Sequence, residues 1–395
     1  MQHAHVLDAN FSLMAKVAFN LMLMILARVR YSQVGLFGAG FVRLVGCHIK
    51  NNGRRTETLA AASTGAIDVG YGCKATLQQC IIANNTANNG AGLLSSHGSV
   101  VLIVDTNIAN NTALTTGGGA LFHGTVNVTG SWILNNAAGS TAGGLFFATG
   151  SKAMLDGANI QANTAECGAG FYADDQSRMQ LRDTNVHHNI ALQTGGGMYF
   201  YRSSVTMINT TVGGNRARSG GGVYSNMSDL VLQSNSFIAN AAHDGAAVAW
   251  YDSKRAQCNN TVLVANTFLN NLAVSGGACV YELGPASLGD LWNESNLNVC
   301  PVPSNKAGYG AQSASYPVRV YTSFNGTGMW SSGSVEMAQA VLRCSLRDRF
   351  DQTVQTNTSL VLPNVPTPVC CAGVQQGSNP ACTGLYKRQQ EVRQN

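Results

Sequence analysis

Charge is scarce in this chain of 395 residues. Asp, Glu, Lys and Arg make up only 11% of it, against about 25% in a typical soluble domain. So few Lys and Glu argue against long solvated helices and coiled coils. The net charge of +5 is spread without a basic run, so nucleic acid is not an indicated partner. Metal-ligand spacing is missing, and Cys370-Cys371 with Cys382 has no CxxC partner. Phosphate and nucleotide fingerprints are missing too, because the glycine runs do not sit between a strand and a helix. The expectation is therefore no metal and no cofactor. The glycines keep no three-residue period, which excludes collagen, and 45% hydrophobic content excludes wholesale disorder. What abounds is Gly and Asn, 44 and 37 residues respectively. Such a composition suggests a repeat.

A repeat is present. Taking Asn111 as origin, the same frame recurs at Asn52, Asn85, Asn136, Asn163, Asn189, Asn215, Asn240 and Asn271, with successive spacings of 33, 26, 25, 27, 26, 26, 25 and 31. Three residues before each Asn stands a large apolar residue, from Ile49 and Ile82 through to Phe237 and Phe268. Two residues after it stands Ala in every repeat but the first, which has Arg54. Ten and eight residues upstream lie pairs such as Val101/Ile103, Val126/Val128 and Leu230/Leu232. That alternation means a strand with one face buried and one wet. Five residues before the Asn sits a small residue, among them Cys47, Cys80, Thr106, Ser131 and Thr184. A glycine cluster follows the Asn, as at Gly117 to Gly119 or Gly195 to Gly197, and leads into a second apolar strand such as LFFA or MYFY.

About 26 residues per repeat suits one turn of a hollow coil built from short strands, since a strand rises about 3.3 Å per residue. Glycine supplies corners that need positive φ. Asn tolerates the left-handed conformation and can bond its own backbone. Coils stacked at the inter-strand spacing of about 4.8 Å bring identical Asn side chains above one another. Their amides can then form a ladder along the axis. The nine Asn residues of the frame are the expected ladder, and the Ile/Val/Phe and Ala rows are the expected interior. Low charge follows from the same stacking, because identical charges that close would repel. Leucine-rich repeats share the period, but the other half of each repeat is here Gly and small residues, where no helix forms. The architecture is a parallel β-solenoid.

The motifs also resemble a known family. Gly118-Gly119-Ala120-Leu121, Gly143-Gly144-Leu145, Gly221-Gly222-Val223, Phe237-Ile-Ala-Asn240 and Phe268-Leu-Asn-Asn271 pair GGA(L/I/V)-type and FxxN-type signatures. This pairing is similar to the polymorphic outer membrane protein repeat of chlamydial adhesins, which also occurs in large algal surface proteins. Most repeats here carry Ile or Val in place of the Phe. The resemblance implies a right-handed parallel β-helix of the pectin-lyase-like type, displayed at a surface. The expected fold is thus all-β: a right-handed single-stranded parallel β-helix of about nine coils over residues 42–310. A small β-rich module, or the truncated start of one, follows at 311–395.

The ends are less regular. Residues 11–27, FSLMAKVAFNLMLMILA, are the most apolar run. They read as a signal or membrane anchor, or as part of a degenerate cap coil within 1–41. In the coil reading Val17-Ala-Phe-Asn20 matches the frame 32 residues before Asn52. Beyond Gly284 the pattern fades, and NKAGYGA (305–311) reads as one last imperfect coil. YPVRVYTS, AVLRCSLRDRF and TSLVLP read as strands of a β-sandwich-like module. Algal proteins with the resembling repeat carry such a segment after an N-x-A-x-YG junction, here Asn305-Lys-Ala-Gly-Tyr309-Gly310.

The β-helix implied by the resemblance hosts polysaccharide enzymes, so catalysis must be tested. Glycoside hydrolysis needs two placed carboxylates. The densest cluster is Asp174, Asp175, Arg178, Arg182, Asp183, His187 and His188. Asp174, Asp175, Arg178 and Arg182 are its weak catalytic candidates. The bland reading is a solvated face: Arg178 and Arg182 flank inward-pointing Met179 and Leu181, and Asp183 occupies a turn position. His243-Asp244 is a loop dipeptide on the same reading. Cys47 and Cys80 share one repeat position in consecutive coils and should stack, as a disulfide or as a thiol pair. Ten N-glycosylation sequons, at Asn10, Asn84, Asn110, Asn127, Asn209, Asn226, Asn259, Asn293, Asn325 and Asn357, permit an extracellular location.

The sequence thus points to a non-enzymatic cell-surface or extracellular rod. Glycans or surface and matrix proteins are the expected partners, with membrane association through residues 11–27. The alternative is a pectin-lyase-like protein that binds or degrades polysaccharide.

Overall fold

The structure, a computed structural model, describes residues 40–52, 65–251, 261–283, 288, 291–292, 294–315, 317, 319–325 and 341–354. It also describes the backbone of strands Leu13–Lys16, Leu23–Ile25, Arg28–Arg30 and Val34–Phe37. The described residues are all-β and form a parallel β-solenoid. One coil illustrates the rest. Leu145–Phe147 lies in sheet A, Lys152–Asp156 in sheet B, Asn159–Gln161 in sheet C, and Thr164–Cys167 in a shorter sheet D. The chain then re-enters sheet A at Phe171–Ala173, parallel to Leu145–Phe147. Among the described residues sheet A has twelve strands and sheets B and C ten each. Pairing holds in register from coil to coil, as in Lys152↔Arg178↔Ser204.

Alternation along each strand decides what is buried. In sheet B, Ala153 and Leu155 point in, as do Met179 and Leu181 in the next coil, while Lys152 and Arg178 are exposed. The central Ile, Val or Phe of each sheet C strand is buried in every coil from Ile49 to Phe268. Phe122, Phe147, Phe171 and Phe200 form a column inside sheet A, with ring centroids 5.6, 5.9 and 5.7 Å apart. Each such burial stabilises by roughly 1.5–3 kcal/mol. The Ala row does not join this core. Ala87, Ala113, Ala138, Ala165, Ala191 and Ala217 belong to a separate buried cluster. Lys152 and Arg178, aligned cations on adjacent strands, depart from the expected neutral rows; both are exposed, where water and salt screen them.

Two tight corners bound sheet C, each with one left-handed residue. The first corner carries Gly130, Gly157, Asp183, Asn209 and Ser234, with φ of 48–61°. The second carries Asn84, Asn110, Asn135, Ala162, His188 and Gly214, with φ of 50–62°. This corrects the expected role of the ladder Asn. The left-handed residue is the one immediately before it, and the ladder Asn bonds neighbouring coils instead of its own backbone.

The strands extend past both expected ends of the solenoid. Leu13–Lys16, Leu23–Ile25 and Arg28–Arg30 pair with strands of sheets A, B and C. The described part of residues 11–27 therefore lies in coil strands. Val29 pairs with Ile49, so the offset from the next coil is not the expected 32 residues. Val17 and Asn20 lie outside the described residues. No helix of the described residues is long and apolar enough to cross a membrane. At the other end Ser313–Ser315 still pairs in sheet A. Arg319–Asn325, Val341–Arg347 and Thr353–Val354 then make a three-stranded antiparallel sheet. Residues 358–363 and the tail cysteines Cys370, Cys371 and Cys382 lie outside the described residues.

Candidate functional site

The ladder residues come together along the second corner. From Asn85 onward, Oδ1 of each Asn accepts two bonds from the Asn one coil earlier, one from its backbone N–H and one from Nδ2. Asn163 takes both from Asn136, and Asn189 takes both from Asn163, at 2.9–3.1 Å. The second Nδ2 proton goes to the apolar residue's carbonyl in the preceding coil, as in Asn163 to Ile133 and Asn189 to Ile160. Both amide protons and the oxygen are thus used inside a buried site, where an unmet group costs about 1–3 kcal/mol. The run begins at Asn52 and Asn85 and continues beyond Asn271 to Asn305.

A second row was not foreseen as a ladder. It occupies the small-residue position five before the main Asn. Cys80 and Thr106 donate backbone N–H groups to Thr106 Oγ1 and Ser131 Oγ. Further on, the same position carries Thr210, Asn235 and Asn266, linked onward to Asn298 through amide oxygens. Asn at two of these positions was the signal in the sequence. Cys47 and Cys80 also stand in this row as buried thiols, not a disulfide. Contact with Cys47, then burial, pushes the Cys80 thiol far up. The disulfide among the described residues is instead Cys279–Cys300. No spacing rule announced it, because Cys300 follows the irregular stretch after Gly284.

The outer face of sheet A carries the feature that neither ladder explains. Register places Leu94, Leu121, Phe146, Tyr172, Tyr199 and Tyr224 in one outward column. Phe146–Tyr172, Tyr172–Tyr199 and Tyr199–Tyr224 stack with centroids 5.3, 4.6 and 5.0 Å apart and interplanar angles of 7°, 7° and 20°. The glycine clusters make this column fit. Gly195, at φ +64°, turns the chain directly beside Tyr199 Cβ. A Cβ on Gly196 would stand 2.4 Å from the Gly221 carbonyl, and one on Gly197 3.2 Å from the Asn215 amide. Conformation requires Gly195, whereas approach to the next coil requires both Gly196 and Gly197, whose Cβ would also stand 2.6 Å from the Gly222 carbonyl.

Small polar side chains flank the column on one side: Thr116, Thr141, Cys167, Thr194, Ser219 and Asp244, aligned coil by coil and half-buried. Thr194 donates to Cys167 Sγ at 3.2 Å. On the other side stand Asp174, Tyr201, Asn226 and Tyr251, with Arg202 over the Tyr201 ring at 5.2 Å. Asn226 Nδ2 donates to the Tyr199 hydroxyl at 3.1 Å. Burial holds Tyr172, Tyr199 and Tyr224 above the ordinary phenol range, Tyr224 at about 12. At neutral pH the column is an uncharged band of ring edges and protonated hydroxyls.

The catalytic candidates do not gather into one site. Asp174 follows the sheet A strand Phe171–Ala173, and its Oδ2 accepts a bond from Thr149 at 3.0 Å, while Asp175 lies in the following turn. Arg178 and Arg182 stand at opposite ends of an exposed sheet B strand, about 13 Å apart at strand rise. Arg182 is aligned with Asp156 of the preceding coil, an acid the sequence reading did not place beside it. Asp183 holds its left-handed corner and accepts a bond from Asn209 Nδ2. Nδ1 of His187 meets Nδ1 of His188 at 2.9 Å, and burial, then His188, lowers the His187 pKa. His243 pairs locally with Asp244 at 2.9 Å.

The C-terminal end is closed by charge. Glu282, in the last part of sheet A and 1% exposed, pairs with Arg349 of the antiparallel module at 2.5 Å. Beside it, buried Asp348 accepts the Ser315 N–H at 3.1 Å. Neither contact was visible in the sequence, because residues 67 positions apart gave no local signal.

A family model described as the right-handed beta helix region matches residues 143–316. Over that stretch, just under half of the chain, the protein is similar to right-handed β-helices. No curated protein and no solved structure matches the chain.

Proposed function

We infer that this chain is a non-enzymatic β-helix rod of a cell surface or extracellular matrix, related to the polymorphic outer membrane protein repeats. It works by lateral contact with glycans. The supporting observation is the aromatic column Phe146–Tyr172–Tyr199–Tyr224 on the outer face of sheet A, bordered by aligned hydroxyl and amide side chains. A band of apolar ring edges bordered by hydroxyl and amide groups, with carboxylates at Asp174 and Asp244, matches the chemistry of a sugar chain, whose faces are apolar and whose rim is hydroxyl. The test is retention of purified protein on immobilised cellulose, chitin and polygalacturonate. Wild type is expected to be retarded on at least one. A Tyr172→Ser, Tyr199→Ser, Tyr224→Ser triple variant is expected to run through.

A second reading, cleavage of an acidic glycan, rests on Asp174 at the edge of the same band. Depolymerisation of polygalacturonate by wild type, lost in Asp174→Asn, would replace the first reading with this one.

A further inference from the structure

Three tyrosines in successive coils lie face to face at 4.6 and 5.0 Å between ring centroids. Their backbones are locked in register, Tyr172↔Tyr199↔Tyr224, by the sheet A ladder. All three are half-buried. Stacking alone does not require the hydroxyls, since Phe146 continues the column at 5.3 Å and 7° without one. The three hydroxyls thus add chemistry to a packing device that works in their absence.

We propose that Tyr172, Tyr199 and Tyr224 form a site of oxidative cross-linking, in which neighbouring tyrosines couple to dityrosine and staple successive coils. The co-reactant is hydrogen peroxide used by a haem peroxidase. Each of two phenols loses one electron and one proton, giving two phenoxyl radicals, while one peroxide molecule is reduced to two waters. The radicals combine through a carbon–carbon bond between ring positions ortho to oxygen. Each of those carbons then gives up its hydrogen as a proton and each phenolate oxygen regains one, restoring two phenols. The net change in the protein is the loss of two hydrogen atoms. The coil ladder supplies what coupling in solution lacks: the partner ring is already in place, and a radical on Tyr199 has a neighbour on either side.

Full-length folded protein, dilute enough to disfavour contacts between copies, is treated with horseradish peroxidase and hydrogen peroxide. Dityrosine fluorescence and peptide mapping are the readouts. A Cys167→Ser background is run in parallel, because the half-buried Cys167 thiol beside the column could take the radical first. The expected product, in either background, is a monomer containing a Tyr172–Tyr199 or Tyr199–Tyr224 cross-linked peptide. Tyr199→Phe, which keeps the ring in the stack, is expected to remove both links and reduce intramolecular dityrosine at least tenfold. Tyr172→Phe should leave the Tyr199–Tyr224 link. The proposal is overturned if dityrosine is absent in both backgrounds. Links found only through the exposed Tyr71 between two copies, or yields unchanged in Tyr199→Phe, overturn it equally.

Discussion

Asn163 and Asn136 are joined by two hydrogen bonds that converge on one oxygen: Asn163 Oδ1 accepts the Asn136 backbone N–H at 2.9 Å and its Nδ2 at 3.1 Å. Asn163 Nδ2 meanwhile bonds both Asn189 Oδ1 and the Ile133 carbonyl. One side chain therefore ties three coils, and removing it strands groups in coils it does not belong to. Asn163→Ala is expected to cost at least about 3 kcal/mol, from several unmet buried groups at about 1–3 kcal/mol each. Asn163→Asp should cost more, because it adds a buried charge and removes both amide donors. Urea unfolding measures both.

The residue before each ladder Asn carries the opposite expectation. Ala162 sits at φ 53°, where a Cβ is strained, whereas Gly214 holds the equivalent corner at φ 62°. Ala162→Gly should stabilise by about 1 kcal/mol, the relief of a left-handed L-residue less the entropy of glycine. Gly214→Ala should destabilise by more, since its Cβ would also stand 2.8 Å from the His188 ring. Thermal unfolding of the two variants is expected to move in opposite directions.

The end of the rod gives a third test. Arg349→Ala leaves Glu282 as an uncompensated charge in a buried site and is expected to cost about 3–5 kcal/mol. The double variant Glu282→Gln, Arg349→Gln should recover much of that loss. Hydrogen exchange will report increased opening of Val280–Glu282 and Ser313–Ser315 in the single variant first.

His187 ties the corner to pH. Burial, then His188, holds its pKa below the ordinary 6.5. Between that lowered value and 6.5 the unfolded chain binds the proton more readily than the folded one. This contribution to stability is present above pH 6.5 and is lost as pH falls through the folded value. NMR titration should place the midpoint below 6.5, and His187→Gln should flatten the pH dependence in that window.

Much of this was legible because a solenoid repeats its physics. Ile108, Ile133 and Ile160 recur at one frame position since each fills the same slot one coil higher, so period and burial could be read together. The main ladder was visible for the same reason. Its donors and acceptors were not, because they depend on which neighbour each amide reaches across coils. The same gap hid the second row: Asn235 and Asn266 fall at the small-residue position, but their linkage to Asn298 needs the coil spacing. The tyrosine column stayed hidden because strands such as LFFA and MYFY read as apolar. Only the pleat shows that Phe146, Tyr172, Tyr199 and Tyr224 point outward while Phe147 and Phe200 point in. Cys279–Cys300 and Glu282–Arg349 lay beyond any periodic argument, because both form where the repeat ends.

The central functional claim is that the rod acts through the outer face of sheet A, and side-by-side binding of three proteins tests it most directly. Wild type, the Tyr172→Ser, Tyr199→Ser, Tyr224→Ser variant and a Leu114→Ser, Leu192→Ser control are titrated with soluble oligosaccharides of cellulose, chitin and polygalacturonate. The control alters exposed apolar residues of sheet D, two positions before the bordering Thr116 and Thr194 and outside the aromatic column itself. The account predicts saturable binding by wild type and control, weakened at least tenfold in the tyrosine variant while its circular dichroism stays that of a folded β-protein. Equal binding by all three, or loss confined to the sheet D control, would contradict it.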